Sequence, residues 1–343
     1  MLHIYRSSRL EHLAERLSAR LFRSRPANAL APQTVVVGHA GMRRWLLAWL
    51  ANHPLPGLPA IAANIDVLLP GEWVERVARS RQIAGGGPGY RRAALRWRID
   101  ALLQREPPAA LAAFLAGGDA RKRFALADRL AALYTQYLIY RGDVIERWQR
   151  GQDGDLFPWQ GTLWRELRAA LGSGHRLDQT HALLRALDSG PSEAVEFFGL
   201  SHLPPDVLAM VSAYARNADV AMYFCDPCRE LWPLLPTGRV SLASELDGTD
   251  YWQTGHPLLS AWGRLGQHFA LALNEMGAVD DARDARELDA SSTLLARVQN
   301  SVRTLTPFAG ACDINDASLR VHVCATRLRE LEALRDALLD ALA

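Results

Sequence analysis

The sequence predicts an α/β protein whose parallel sheet carries an all-helical insertion. Three observations predict it. Val35, Val36 and Val37 form an uninterrupted β-branched run, as a strand covered on both faces requires, and Met42, Trp45, Leu46, Trp49 and Leu50 follow at helical spacing. Strands return at 195–200 (VEFFGL) and 220–224 (VAMYF), with Pro204-Pro205-Asp206 opening a helix between them. From Glu72 to about Gly190 strand patterns vanish and helical ones succeed one another. Two α/β segments flanking a helical block imply one sheet interrupted by an inserted subdomain.

Taken in order, Leu2 to Tyr5 alternates as a short strand. Ser8-Arg9-Leu10-Glu11 then matches a capping box, and Leu10, Leu13, Ala14, Leu17 and Leu21 give the following helix its buried stripe. Pro26 and Pro32 close the connection into the valine strand. Ile61 to Asp66 reads as the next strand, ending at Leu69-Pro70-Gly71-Glu72. The insertion is broken at Gly85-Gly86-Gly87-Pro88, Pro107-Pro108, Gly117-Gly118 and 172–174. Its best helix runs from about Arg121 to Tyr140, with Phe124, Leu126, Leu130, Leu133, Tyr134, Tyr137 and Leu138 on the side read as core. Pro257 to Met276 is a further helix, with Leu258, Trp262, Leu265 and Phe269 on one face, and Asp280 to Leu288 an acidic link. Ser318 to Cys324 is expected as a strand and Arg327 to Leu339 as a helix.

The turn after the valine strand is Gly38-His39-Ala40-Gly41-Met42-Arg43-Arg44. A phosphate loop needs backbone amides to cradle the phosphates, a lysine to reach the β and γ oxygens, and a hydroxyl to hold magnesium. Neither lysine nor hydroxyl is present, so the turn is a degenerate phosphate loop. The chain has a single lysine, Lys122, inside a helical pattern, which removes phosphate-loop and Asp/Glu-x-Lys nuclease mechanisms alike. No HExxH or Gly-x-Ser-x-Gly motif occurs. Cys225-Asp226-Pro227-Cys228 lacks a second close pair, since Cys312 and Cys324 stand apart, and reads as a buried turn. No catalytic residue, metal or cofactor is expected.

Composition is ordinary and globular: 343 residues, 49% hydrophobic and 22% charged, with a formal net charge of +2. A global field for nucleic acid is absent, so any such contact must come from local arginines. Four cysteines, no signal peptide and no long apolar run imply a cytoplasmic protein with reduced thiols and no membrane contact.

Seven collinear segments carry a resemblance. They are Val37 with Gly41-Met42 and Trp45-Leu46; Ala62 to Asp66 with Leu69-Pro70; Gln136 to Arg141; and Leu203-Pro204-Pro205. Pro227-Cys228-Arg229 with Trp232, Pro257-Leu258-Leu259 with Trp262-Gly263, and Val321 to Cys324 complete the set. Together they resemble the N-terminal part of the RecC family, the gamma chain of the bacterial exodeoxyribonuclease V (RecBCD) helicase-nuclease.

The resemblance implies a superfamily 1 helicase-like parallel-sheet domain whose ATPase motifs have decayed. Residues 1–72 with 191–300 would form the first motor-type domain, 73–190 its helical insertion, and 315–343 the start of a second motor-type domain cut short by the chain end. It also implies a non-catalytic subunit that assembles with RecB-like and RecD-like partners in double-strand break repair, guides the unwound 3′-ended single strand, and scans it for a Chi-like hotspot. Leu69, Leu133 and Arg141 match the family's DNA-facing pattern, and Arg44 is a further DNA contact. Gly38, Ala40 and Arg44 stand where members with well-described Chi reading carry amides or hydroxyls, Glu75 where they carry tryptophan, and Ala132 and Thr135 where they carry aspartate. A different hotspot, or none, is therefore expected. The competing readings are an active ATP-dependent helicase-nuclease subunit and a scaffold without DNA contact.

Overall fold

The computed structural model describes the chain except residues 25–27, 29, 57–60, 85, 155–156, 190–192, 229–231, 235–254, 278, 282–287, 289–290, 308–312, 314 and 343. Pro26, Arg229, Cys312 and most of the acidic link at 280–288 thus lie outside the described residues. The described residues form two compact units, one from 1–225 with 269–283, the other from 226–268 with 284–343.

In the first unit six strands, β1 Leu2–Ser7, β2 Gln33–Val37, β3 Ile65–Leu68, β4 Val195–Phe198, β5 Val220–Cys225 and β6 Val279–Asp281, make an all-parallel sheet in the order β3-β2-β4-β5-β1-β6. The central strands are buried on both faces because both are covered: Val35 to Val37, Val195, Phe197 and Phe198 supply the apolar side chains, with Glu196 a buried charged exception. Helices α1 Leu10–Arg23 and α2 Ala40–Asn52 cover one face through Leu13, Leu17, Leu46 and Trp49. Helices α3 Pro70–Ser80 and α10 Pro205–Ala215 cover the other through Trp73, Val77, Val207 and Met210. Right-handed crossovers require this division, since β2 to β3 runs one way along the sheet and β4 to β5 the other.

Three expectations shift here. The first helix is entered without the Ser8 capping box; instead Ser7 Oγ accepts the Arg9 amide at 3.2 Å. The strand expected at 61–66 begins at Ile65, because Asn64 sits at φ +59, a left-handed conformation that breaks an extended run and that asparagine tolerates. Its side chain donates to the Ala31 carbonyl at 2.9 Å. The third shift concerns the border drawn at residue 72, which cuts through α3, a helix whose Trp73 and Val77 belong to the sheet's own core.

Helices α4 Arg92–Arg105, α5 Ala109–Leu115, α6 Ala120–Tyr140, α7 Gly142–Gln149, α8 Pro158–Leu171 and α9 Arg176–Leu187 follow. They build a separate apolar core around Leu95, Ile99, Tyr134, Ile145, Trp148, Trp164 and Leu167. Tyr134 donates to the Gln160 carbonyl at 2.8 Å, so its ring is buried without stranding its hydroxyl. The buried stripe of α6 is Ala127, Leu130, Ala131, Tyr134 and Leu138, rotated from the one read as core. Phe124 and Leu133 lie off it, because the alanines let α4 approach closely and the larger side chains are displaced to the flanks.

The second unit holds α11 Pro257–Trp262, α13 Leu294–Thr304, α14 Arg327–Leu342 and the start of α12 Arg264–Glu275. The single helix expected at 257–276 is interrupted at Gly263, and Trp262 and Leu265 are exposed rather than core. In the turn after β5, Asp226 accepts the Trp232 indole N–H at 2.7 Å and the Cys228 amide at 3.3 Å.

Residues 318–324 are not a strand. Val321 and Val323 are 83% and 95% exposed, and an extended segment without a ladder partner has nothing to pair its backbone. Leu328, Leu331, Leu334 and Leu338 of α14 are likewise more than half exposed. Hydrogen exchange of α14 amides in the isolated chain should therefore outpace that of α6, and Leu334→Ala should cost under about 0.5 kcal/mol. Protection of α14 equal to that of α6 would refute this.

Candidate nucleic-acid interface

Ligands of open parallel sheets bind outside the carboxyl ends of the strands, where successive crossovers diverge. Here that point lies between β2 and β4. Only Gly38 and His39 separate β2 from α2, so Ala40, Gly41, Met42 and Arg43, read from sequence as part of a degenerate phosphate loop, form the first turn of the helix. The helix end is closed by the protein itself: His39 Nδ1 accepts the Met42 amide at 3.2 Å. Such amides are the ones a phosphate would need. Beside the turn, Leu200 is 3% exposed, and a Cβ added at Gly38 would touch its Cδ2 at 3.5 Å. Gly199, at φ +63, stands just as close to Met42, whose Cε lies 3.3 Å from where a Cβ would be. Apolar side chains thus line one side of the turn, whose residues Gly38 to Gly41 remain exposed.

The two adjacent arginines have different fates. Arg43 is paired with Glu72, whose carboxylate also accepts the Leu69 amide at 2.7 Å. The Leu69 amide, and after it the Arg43 guanidinium, hold the Glu72 carboxyl below its ordinary range. Arg44 is exposed and makes no hydrogen bond or ion pair among the described residues. Leu69 is half-buried at the start of α3, beside the β2 turn because Val36 pairs with Leu68 in the ladder.

The helical layer is tied to the same edge of the sheet. Helix α9 runs alongside α10, with Arg176 Nε 2.7 Å from Asp206 Oδ2 at their starts and Asn217 donating to the Leu187 carbonyl at 2.8 Å at their ends. Gly142 packs on the first turn of α9, where an added Cβ would meet Leu177 at 3.1 Å. Arg141, the residue before it, is exposed and held by Asp143 in a two-pronged ion pair at 2.9 and 3.0 Å. That pair depresses the Asp143 carboxyl, yet as a solvent-facing contact it holds weakly and yields to a better anion. Leu133 is half-buried on α6, outside the layer's apolar core. Thus Arg44 and Leu69 stand on α2 and at the start of α3, beyond the carboxyl ends of β2 and β3, while Arg141 and Leu133 belong to the helical layer.

Sequence reading missed two features of this site. The Glu72 clasp was visible as a glutamate three residues after the N-cap position Leu69, the acidic half of a capping box. The His39 cap left no usable signal, because histidine is not a favoured N-cap residue.

Residues 2–305 match the family model described as RecC, N-terminal domain. The chain is 28% identical to the RecBCD enzyme subunit RecC of Escherichia coli (strain K12), over 100% of this chain and 35% of that protein. It is 27% identical to the subunit of the same name from Haemophilus influenzae, over 99% of this chain and 36% of that protein. For the Mycobacterium tuberculosis (H37Rv) subunit the figures are 28%, 99% and 33%. The chain thus spans about a third of the length of the curated relatives it matches. Among the described residues no helix is long and apolar enough to cross a membrane.

Proposed function

The chain belongs to the RecC N-terminal domain family, and from that premise we propose that it is the helicase-like, ATPase-dead channel part of a RecBCD-type helicase-nuclease. In this reading it joins RecB-like and RecD-like subunits in double-strand break repair and guides the unwound 3′-ended strand. Arg44 neutralises a phosphate or meets a base edge, Leu69 and Leu133 form an apolar wall, and Arg141 exchanges Asp143 for the strand. The chain performs no chemistry itself.

The observation that carries the reading is the partly occupied switch point: His39 takes up the Met42 amide and Leu200 and Met42 press on the neighbouring glycines, while Arg44 beside them is left without a partner among the described residues. A nucleotide finds there neither a lysine nor a magnesium-holding hydroxyl, and the Met42 amide already taken, whereas a strand passing outside finds a cation. Calorimetry with ATP and magnesium is expected to give no stoichiometric heat. Stoichiometric binding would favour an active helicase-nuclease subunit instead.

Arg44→Ala should weaken single-strand binding a few-fold on every sequence and reduce the salt slope by about 0.7, the value of one single-strand phosphate contact. An effect confined to guanine-rich strands would mean a base contact, and no single-strand affinity at all would leave a scaffold without DNA contact. Hotspot reading is altered or absent, because glycine and alanine at Gly38, Ala40 and Ala132 make no side-chain hydrogen bonds to bases. Thr135 spends its hydroxyl on the Ala131 carbonyl at 2.8 Å. In a reconstituted complex, robust cleavage switching at the standard Chi octamer would overturn this part of the reading.

A further inference from the structure

The helical layer carries its charge unevenly. Residues 91–129 hold nine Arg or Lys against four Asp or Glu, whereas 142–190 hold six against seven. A general preference for arginine would have raised both, so the excess belongs to the α4–α6 surface. Ion pairing does not absorb it. Arg92 pairs with Asp128 at 2.5 Å and Arg123 with Asp100 at 2.9 Å, but Arg98, Arg121 and Arg129 are exposed and make no ion pair among the described residues.

On this surface stand aromatic rings that no core claims. Trp97 is 59% exposed and lies against Phe124, with ring centroids 4.8 Å apart. The Arg96 guanidinium sits 5.8 Å from the Trp97 ring centre and 5.7 Å from that of Phe124, and its Nε is buried without a hydrogen-bond partner. Lys122 lies 4.2 Å over the ring of Phe114, which is 48% exposed. Arg98 follows Trp97 directly on α4, and Arg121 stands one turn before Phe124 on α6.

Exposed and half-exposed rings, with Arg96 between them 3.9 Å from Asp128 and Arg98 and Arg121 unpaired nearby, match unpaired bases on a phosphate backbone: the ring faces stack and the cations neutralise. A duplex would present only its backbone, leaving the tryptophan unused. We propose that Trp97, Phe124 and Arg96, flanked by Arg98 and Arg121, form a second single-stranded DNA contact that holds the strand without reading its sequence. This goes beyond the sheet-edge contact and does not depend on it. Phe124 and Arg141 are 17 residues apart across α6 and its C-terminal cap, or about 25 Å along the axis, so one strand with a footprint of about 4–16 nucleotides can meet both.

The test is titration of the full chain with a labelled oligothymidine of about 20 nucleotides, longer than one such footprint. Trp97→Ala is expected to weaken binding roughly fivefold to a hundredfold, the fold-change from losing one stacked base, and by the same factor on oligocytidine and oligoadenosine. Trp97→Phe should retain most of the affinity, and Arg98→Glu with Arg121→Glu should lower the salt slope. Melting temperatures should move little, since Trp97 lies outside the buried core and loses only its surface contacts with Phe124 and Arg96.

Unchanged single-strand affinity in Trp97→Ala overturns the proposal, as does a chain with no measurable single-strand affinity. If that variant binds DNA normally but loses assembly with its partner subunits, the surface is a protein interface and the proposal is equally refuted. The two contacts fail separately: an effect of Trp97→Ala without one of Arg44→Ala leaves this surface standing and removes the sheet-edge reading, and the reverse result does the opposite.

Discussion

Arg20→Met should destabilise the sheet-containing unit by about 3 kcal/mol at neutral pH, the low end of what breaking a buried ion pair costs. Glu196 lies in the central strand β4, 3% exposed, with one carboxylate oxygen 2.9 Å from Arg20 Nε and the other accepting the Tyr223 hydroxyl at 3.2 Å. Arg20 retains 18% side-chain exposure and also reaches Asp219 at 2.5 Å, which is why the low end applies. Without the guanidinium a carboxylate is left in an apolar layer beside Phe198 and Tyr223 with one hydroxyl to solvate it.

The pH dependence gives the effect a signature. Burial already pushes the Glu196 carboxyl above its ordinary value, with Arg20 opposing the shift. A group whose folded pKa is raised contributes stability that is present below its unfolded pKa and lost as pH rises through the folded one. Removing Arg20 raises that folded pKa further, so the deficit should be largest at neutral pH and shrink as pH falls towards the unfolded carboxyl value of about 4.3. Adding Glu196→Leu should recover much of the loss, because the buried charge is gone. Chemical denaturation at several pH values tests this, and a loss in Arg20→Met below about 0.5 kcal/mol, or one independent of pH, would sink it.

Trp164→Ala should cost about 3–5 kcal/mol and act on the helical layer first. The indole is fully buried and packs against Tyr134, Tyr90 and His175, with ring centroids 5.6, 5.9 and 5.6 Å away. Its removal empties the centre of a core that has no alternative filling. The same layer has an acid-sensitive joint. His175 caps α9, its Nδ1 accepting the Asp178 amide at 3.2 Å, and burial pushes its pKa down to about 4.

A base with a depressed folded pKa contributes stability above its unfolded value of about 6.5 that is lost as pH falls towards the folded one. Protonation would also turn Nδ1 from acceptor to donor, facing an amide that donates. Acidification from pH 6.5 to 4 should thus weaken the layer, more visibly in Trp164→Ala than in the unaltered chain. Far-ultraviolet circular dichroism and amide exchange resolved by segment would detect it. Simultaneous loss of sheet and helical layer in Trp164→Ala would contradict the separate cores. Since Arg141 and Leu133 are carried by this layer, the variant should also lose their share of single-strand affinity.

The amino-acid sequence by itself determined the alternation of strands and helices, the helical block between the two α/β segments, the missing lysine of the phosphate loop and the family resemblance. These are local properties: a valine run or a leucine every three or four residues expresses its period wherever the chain goes. Tertiary structure decided what each period faces. It set β1 between β5 and β6, a matter of pairing residues more than 200 positions apart that no window contains. It turned α6 so that Ala127 and Ala131 face the core and Phe124 stands half-buried at its flank, because the fit to α4 favours small side chains over the most apolar ones. It paired Arg43 with Glu72 and left Arg44 exposed, a distinction between identical side chains made only by their direction on α2. The switch point was lined in the same way, by His39 from its own turn and Leu200 from the loop after β4, because side chains far apart in sequence converge only once the parallel sheet has formed.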